Sequence, residues 1–227
     1  MKIIKVKCTT LEPMLGLCPD DKDIYSTYIA SRAPEFSKGE SEVAAIPEAD
    51  PEAGMKSTVF TRTPDGKPCF WDYQIRGFFK DTCSALSRLS NTDENGKKIS
   101  LTKSGKLKAF KKVIDGNIFV APRQIPIDFD GEMTWCERPL RADTPQGPRV
   151  ALARSEQIPA GATLTFDILL LEDSHEDVVR EWLNYGHLRG FGQWRNSGMG
   201  RFKHEIIDIQ TLPFDLLKIA DFIKEKA

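Results

Sequence analysis

The chain has 227 residues, with 32 Lys and Arg against 33 Asp and Glu, a net charge of -1 and 40% hydrophobic residues, enough apolar material to bury a core. Its 16 glycines and 14 prolines are ordinary usage and exclude a collagen-like or low-complexity chain. No apolar run approaches the roughly 20 residues of a membrane helix, and Met1-Lys2-Ile3-Ile4-Lys5 offers no signal-peptide core. The five cysteines (Cys8, Cys18, Cys69, Cys83, Cys136) form no CxxC pair, and His175, His187 and His204 have no tight spacing to them. The expectation is therefore a cytoplasmic protein with no zinc site, no other metal and no cofactor.

Ile4, Val6 and Cys8 alternate with lysines, predicting a half-buried strand over 3–9. Asp20 to Arg32 predicts a short helix on Ile24 and Tyr28, and Pro34 to Gly54 an acidic exposed loop. Thr58–Arg62 and Pro68–Trp71 flank the turn signal Pro64-Asp65-Gly66-Lys67 and predict a hairpin. Ile75, Phe78, Phe79, Thr82, Leu86 and Leu89 recur at helical spacing, giving a helix over 73–89. Asn91–Gly105 reads as a loop, Leu107–Ile114 as a basic helix ended by Gly116, and Ile118–Ile127 as a strand made irregular by Pro122 and Pro126. Glu132–Gln157 predicts a projecting hairpin with its apex at 143–148. Leu164, Phe166, Ile168 and Leu170 alternate in a strong strand over 162–171. A helix over 174–186, with Ser174 as its cap, carries Val178, Val179, Trp182 and Leu183. A glycine-rich loop, a strand over 201–209 and an amphipathic helix from Phe214 to Lys226 complete the chain.

Without its insertions this order is βαββαβ, an α+β chain with a ferredoxin-like core: an antiparallel four-stranded sheet and two helices on one face. The predicted organisation is a single domain over 1–227 with insertions at 11–57, 90–116 and 132–157 and a terminal helix over 213–227. In RNA-recognition modules of this shape the open sheet face and the loops after the helices bind single strands.

The balanced net charge hides segregation. Eight bases (Lys97, Lys98, Lys103, Lys106, Lys108, Lys111, Lys112, Arg123) face one acid, Asp115, between 97 and 123. A second cluster is Arg138, Arg141, Arg149 and Arg154, and a third is Arg189, Arg195, Arg201 and Lys203. Three such groups suit a groove for a polyanion. The third is interleaved with glycines and aromatics from Gly186 to Phe202, a composition that lets backbone N–H groups approach a ligand and offers phosphate contacts and stacking surfaces.

The Gly190–Phe202 stretch, of the form GxGxxRNSGMGRF, resembles the glycine-rich loop of the repeat-associated mysterious protein (RAMP) superfamily of CRISPR systems. Thr58-Val59-Phe60-Thr61-Arg62, Asp65-Gly66-Lys67-Pro68 and Tyr73-Gln74-Ile75-Arg76-Gly77-Phe78-Phe79-Lys80 are similar to that family's strand, DG turn and glycine–arginine helix start. Ile158 to Ile168 looks like its strand ahead of the second helix. The likeness is strongest to backbone subunits of effector complexes, which bind guide RNA without regard to sequence, polymerise along it and push a thumb hairpin between nucleotides. The resemblance places 132–157 as the thumb, with Trp135 or Leu140 wedged against a base. It implies single-stranded RNA, or single-stranded DNA, copies of the chain itself and other CRISPR effector subunits as partners, with no membrane. The expected nucleic-acid contacts are Arg76, Lys80, Lys108, Lys111, Lys112, Arg138, Arg141, Arg149, Arg154, Arg189, Gly190, Gly192, Arg195, Asn196, Gly198, Gly200 and Arg201, with Phe191 and Trp194 stacking bases or bracing the loop.

In cleaving members an aspartate precedes the strand that leads to the DG turn; here Lys56 occupies that place, and no catalytic residue is expected. Asp20, Asp21 and Asp23 are metal-ligand types, but a carboxylate-rich loop is more often only solvated. Two other readings stand beside the binding one. The acidic 35–54 stretch fits a viral or mobile-element mimic that inhibits a CRISPR complex. His187, with Tyr185, Arg189 and Lys203 nearby, fits a metal-independent RNA-processing endoribonuclease, although the first 174 residues contain no histidine.

Overall fold

The computed structural model describes residues 1–21, 44–47, 57–144 and 147–225. Their strands and helices in chain order are β1 (Lys2–Thr10), β2 (Met14–Leu15), β3 (Cys18–Pro19), β4 (Ser57–Val59), β5 (Thr61–Arg62), β6 (Pro68–Trp71), α1 (Asp72–Leu86), β7 (Ser90–Thr92), β8 (Lys98–Ser100), α2 (Phe110–Asn117), β9 (Ile118–Ala121), β10 (Gln124–Asp128), β11 (Thr134–Thr144), β12 (Gly147–Ile158), β13 (Thr163–Leu170), α3 (Glu176–Tyr185), β14 (Phe202–Thr211) and α4 (Leu216–Glu225).

The fold is α+β, and its central strands lie in the order β14-β1-β13-β9, every pair antiparallel. With α1 between β1 and β9, and α3 between β13 and β14, this is compatible with a ferredoxin-like core. Alternation sends Ile4, Val6, Cys8, Leu164, Phe166, Ile168 and Leu170 to the face that α1 and α3 cover with Ile75, Phe79, Val179 and Trp182. A short 3-10 turn at Ser104–Lys106 is pinned beneath α3: the buried Trp182 indole donates to Ser104 Oγ at 2.9 Å, and that hydroxyl donates to Glu181 at 2.6 Å.

The opposite sheet face is less open than the sequence suggests. Ile219 of α4 packs there on Met1, Ile3 and Leu169, with Phe119, Leu171, Leu212 and Phe222 around them. The terminal helix thus occupies part of the surface that RNA-recognition modules leave free.

A second sheet runs β11-β12-β4-β3, with β2 also on β12. The projecting hairpin pairs without interruption from Thr134↔Gln157 to Thr144↔Gly147.

Several expectations are corrected. The first helix stops at Leu86, and Leu89 is 48% exposed outside it. Residues 90–100 form a small β7/β8 hairpin instead of a loop. The basic helix begins at Phe110 and runs through Gly116. The 118–127 strand divides at 122–123, so that β9 stays on β13 while β10 also reaches β6, with Ile125 opposite Phe70. Ser174 lies in a 3-10 turn and His175, not Ser174, precedes α3. The helix expected on Ile24 and Tyr28 lies outside the described residues, as does most of the acidic stretch; within it, Ile46 is buried rather than exposed. Lys56 and Asp23 also lie outside them.

Candidate nucleic-acid interface

The glycine-rich loop owes its glycines to chain crossings. A Cβ on Gly190 would lie 1.9 Å from the Gly200 carbonyl, and one on Gly200, whose φ is +69°, 2.0 Å from the Phe191 carbonyl oxygen. The loop's amides are largely consumed internally: Phe191 N–H donates to Gly200 O, Gln193 N–H to Leu15 O, Gly198 N–H to Arg195 O and Gly200 N–H to Pro13 O. Gly190, Gly192 and Gly200 stand where the chain packs closely on itself, and the Gly200 N–H is spent on Pro13. Gly198 and the exposed Asn196 lie at the outer bend.

Phe191 packs inside the loop. Its ring is 4% exposed and lies parallel to Phe202 at 4.2 Å, with Phe78 edge-on at 5.0 Å. Aromatic pairs of this kind add about 0.5–1.5 kcal/mol beyond their buried area. The ring braces the loop and is closed to a base.

The arginines are organised by carboxylates on α1 that sequence inspection did not single out. Asp81 pairs with both Arg189 and Arg195, the latter at 3.0 Å. Asp72 pairs with Arg76 at 3.0 Å and Arg123 at 2.9 Å. Each carboxylate thus holds two guanidiniums in place. Lys80 pairs with Asp115 at 2.6 Å, and Arg201 with Glu12 at 2.7 Å.

Between the two groups lies Gly77, exposed on α1, with none of the described residues within 4 Å of where a Cβ would sit. A glycine inside a helix costs about 1 kcal/mol relative to alanine, and among the described residues no close approach explains this one. It lines a cleft of about 210 Å³ with Gln74, Phe78, Gly190, Gly192 and Arg195. Four residues further along the helix, Asp81 shares its side of the surface.

On the hairpin, Arg138 is 7% exposed, donating to Ser155 Oγ at 3.2 Å and to Gln193 Oε1 at 2.8 Å beneath the Trp194 ring. Arg154 lies 4.2 Å from the Trp135 ring centroid and 3.7 Å from Glu137. Both are engaged at the hairpin base. Arg141 and Arg149 hold register positions opposite Val150 and Ala142, nearer the tip. Lys108, Lys111 and Lys112 are exposed on and just before α2, apart from the cleft.

The residues of the other readings are also placed. Asp20 accepts hydrogen bonds from the Ser57 amide and hydroxyl, and among the described residues no three His, Cys, Asp or Glu side chains gather around a metal-sized site. His187 is exposed beyond the end of α3, and Tyr185 is half-buried. Burial holds the His204 imidazole below its ordinary value of 6.5, with the charges of His187 and Arg180 adding to the effect. No helix among the described residues is long and apolar enough to cross a membrane.

The chain matches no family model and no curated protein. Among solved structures it is similar to a chain of the Type III-B Cmr-beta bound to cognate target RNA, with a TM-score of 0.46 and 12% identity. The likeness covers 94% of this chain and 61% of that one, so this chain spans about three fifths of its neighbour's length.

Proposed function

We propose that the protein binds single-stranded nucleic acid, RNA in the first instance, without regard to sequence and without catalysis. The observation that carries this reading is the open surface of α1 at Gly77, flanked by two carboxylate-held arginine pairs, Arg76 with Arg123 and Arg189 with Arg195. A helix stripped of its side chain at that point lets a sugar–phosphate backbone lie close, while the guanidiniums on either side supply charge-assisted donors already fixed in direction. The motif resemblance to RAMP backbone subunits supports a fuller form of the same reading. In that form, copies of the chain assemble along one strand in a CRISPR-like ribonucleoprotein, alone or with other effector subunits.

Binding is tested by fluorescence anisotropy with a labelled 20-nucleotide RNA across a salt series. The logarithm of the affinity should fall linearly with the logarithm of salt, by roughly 0.7 per phosphate neutralised on a single strand. Arg76→Glu with Arg195→Glu, one from each pair, should weaken binding and reduce that slope by about 1.4. A flat salt dependence, or undiminished affinity in the double variant, would overturn the proposal.

A further inference from the structure

The β7/β8 hairpin is a sheet of two strands that no other strand among the described residues joins. A two-stranded hairpin is marginally stable in water, and this one is held from one side by the body of the protein. Ser100 is half-buried, its hydroxyl donates to Thr102 O at 3.1 Å, and a Cβ on Gly105 would lie 1.9 Å from that hydroxyl. Thr102 Oγ1 donates in turn to Leu86 O at the end of α1, and the amides of Lys103 and Ser104 donate to Glu181 on α3.

The opposite face is apolar. Asn91 pairs with Ile99, and one step outside the first strand pair the Leu101 N–H donates to Leu89 O at 3.1 Å. Leu89, Ile99 and Leu101 therefore share the side that points away from Ser100, and they are 48%, 50% and 59% exposed. Scattered exposed aliphatics are ordinary, whereas three on one face of one hairpin make a patch. The flanking charge has one sign. Gly96 to Ile114 contains seven lysines and no acid. Lys103 is paired with Asp177; Lys97, Lys98, Lys106, Lys108, Lys111 and Lys112 are exposed, with no ion pair among the described residues.

We propose that this face docks a protein partner through an acidic segment that carries aliphatic side chains. The lysines complement its carboxylates and steer its approach, while Leu89, Ile99 and Leu101 bury against its aliphatics as the dry centre of the contact. The chemistry disfavours a nucleic acid, because the apolar face offers no aromatic ring on which a base could stack. It disfavours a bilayer as well. The tip that would meet a membrane first is Asp93-Glu94-Asn95-Gly96, turned by the Asp93 carboxylate, which accepts from the amides of Asn95 and Lys97. Two carboxylates at that point are repelled by anionic lipid. The surface is separate from the Gly77 cleft, and the proposal does not depend on strand binding there.

The test titrates the full chain into two fluorescein-labelled peptides, one of six Glu-Leu repeats and one of six Glu-Ser repeats, followed by anisotropy. The Glu-Leu peptide should bind about tenfold or more tightly than the Glu-Ser peptide. Ile99→Ser with Leu101→Ser should remove that preference and leave Glu-Ser binding unchanged, whereas Lys111→Glu with Lys112→Glu should weaken both peptides. Leu89→Gln, at a residue outside both strands, probes the same face without altering the hairpin and should also reduce the preference. Equal affinity of the parent for the two peptides, or an undiminished preference in the serine and glutamine variants, would refute the docking face. Displacement of the Glu-Leu peptide by a 20-nucleotide RNA would assign the lysines to nucleic acid. Binding to phosphatidylserine-containing vesicles that the serine variant loses would assign the face to a membrane, and either result overturns the protein partner.

Discussion

Gly200→Ala isolates the crossing that closes the glycine-rich loop. An alanine there must hold φ near +69° and set its Cβ 2.0 Å from the Phe191 carbonyl oxygen, a backbone atom that cannot swing away. The left-handed conformation costs an L-residue roughly 1–2 kcal/mol. Separating the two segments also breaks the 3.0 Å bond from Phe191 N–H to Gly200 O, worth about 1 kcal/mol, and disturbs the Phe191–Phe202 stack, worth about 1 kcal/mol more. The total of about 3–4 kcal/mol corresponds to a melting-temperature loss of about 6–16 °C for a chain of this size. Gly198→Ala is the matched control. Its φ of +86° carries the same conformational penalty, but its Cβ would meet only the Arg201 side chain, at 3.4 Å. That variant should lose about 2–8 °C. Thermal unfolding followed by circular dichroism compares them directly. Equal losses in the two variants would refute the claim that the crossing, rather than backbone conformation alone, demands glycine.

Two further outcomes follow from buried polar groups. Ser104→Ala leaves the Trp182 indole N–H without its acceptor in a site that is 0% exposed, a loss of about 1–3 kcal/mol that denaturant titration would register as a lower midpoint. His204 is held below its ordinary pKa by burial, so as pH falls through 6.5 the unfolded chain takes up a proton before the folded one does. Stability should therefore decline on acidification from about pH 6.5 toward the lower folded-state pKa. His204→Gln should flatten that part of the pH–stability curve; an unchanged decline would assign it to another group.

What the sequence made legible follows from period and burial. The alternation of Ile4, Val6 and Cys8 and of Leu164 to Leu170, and the helical spacing of Ile75 to Leu86, exist because one face of each element is buried. The β7/β8 hairpin was invisible to the same logic: five of its six strand residues are exposed, so no alternation marks it. Ile118–Ile127 reads as one run, and only pairing with both β13 and β6 divides it. The glycine-rich loop was recognisable as a feature, but its glycines answer to Pro13 and Leu15, far away in the chain. Arg189 finds Asp81 across 108 residues and Arg201 finds Glu12 across 189. Distances of that kind leave no local trace, which is why Arg189, Arg195 and Arg201 read as free charge and are in fact paired.

The short run 11–16 joins parts of the protein that the chain itself keeps far apart. Leu11 and Pro13 bond to the backbone of Arg201 and Gly200, Leu15 accepts from Gln193, and Gly16 donates to Glu156, while β2 pairs with the end of β12. The loop after α3 and the base of the hairpin are thus riveted to one six-residue strip that continues directly from β1. Loop and hairpin base thus form one frame without a joint, which the proposed binding of a strand would leave with little ordering to do. The same frame makes the strip a cooperative unit of opening: the amides of Leu11, Gly16, Gln193 and Gly200 are protected by one another's partners, and exchange at any of them requires the loop and the hairpin to let go together.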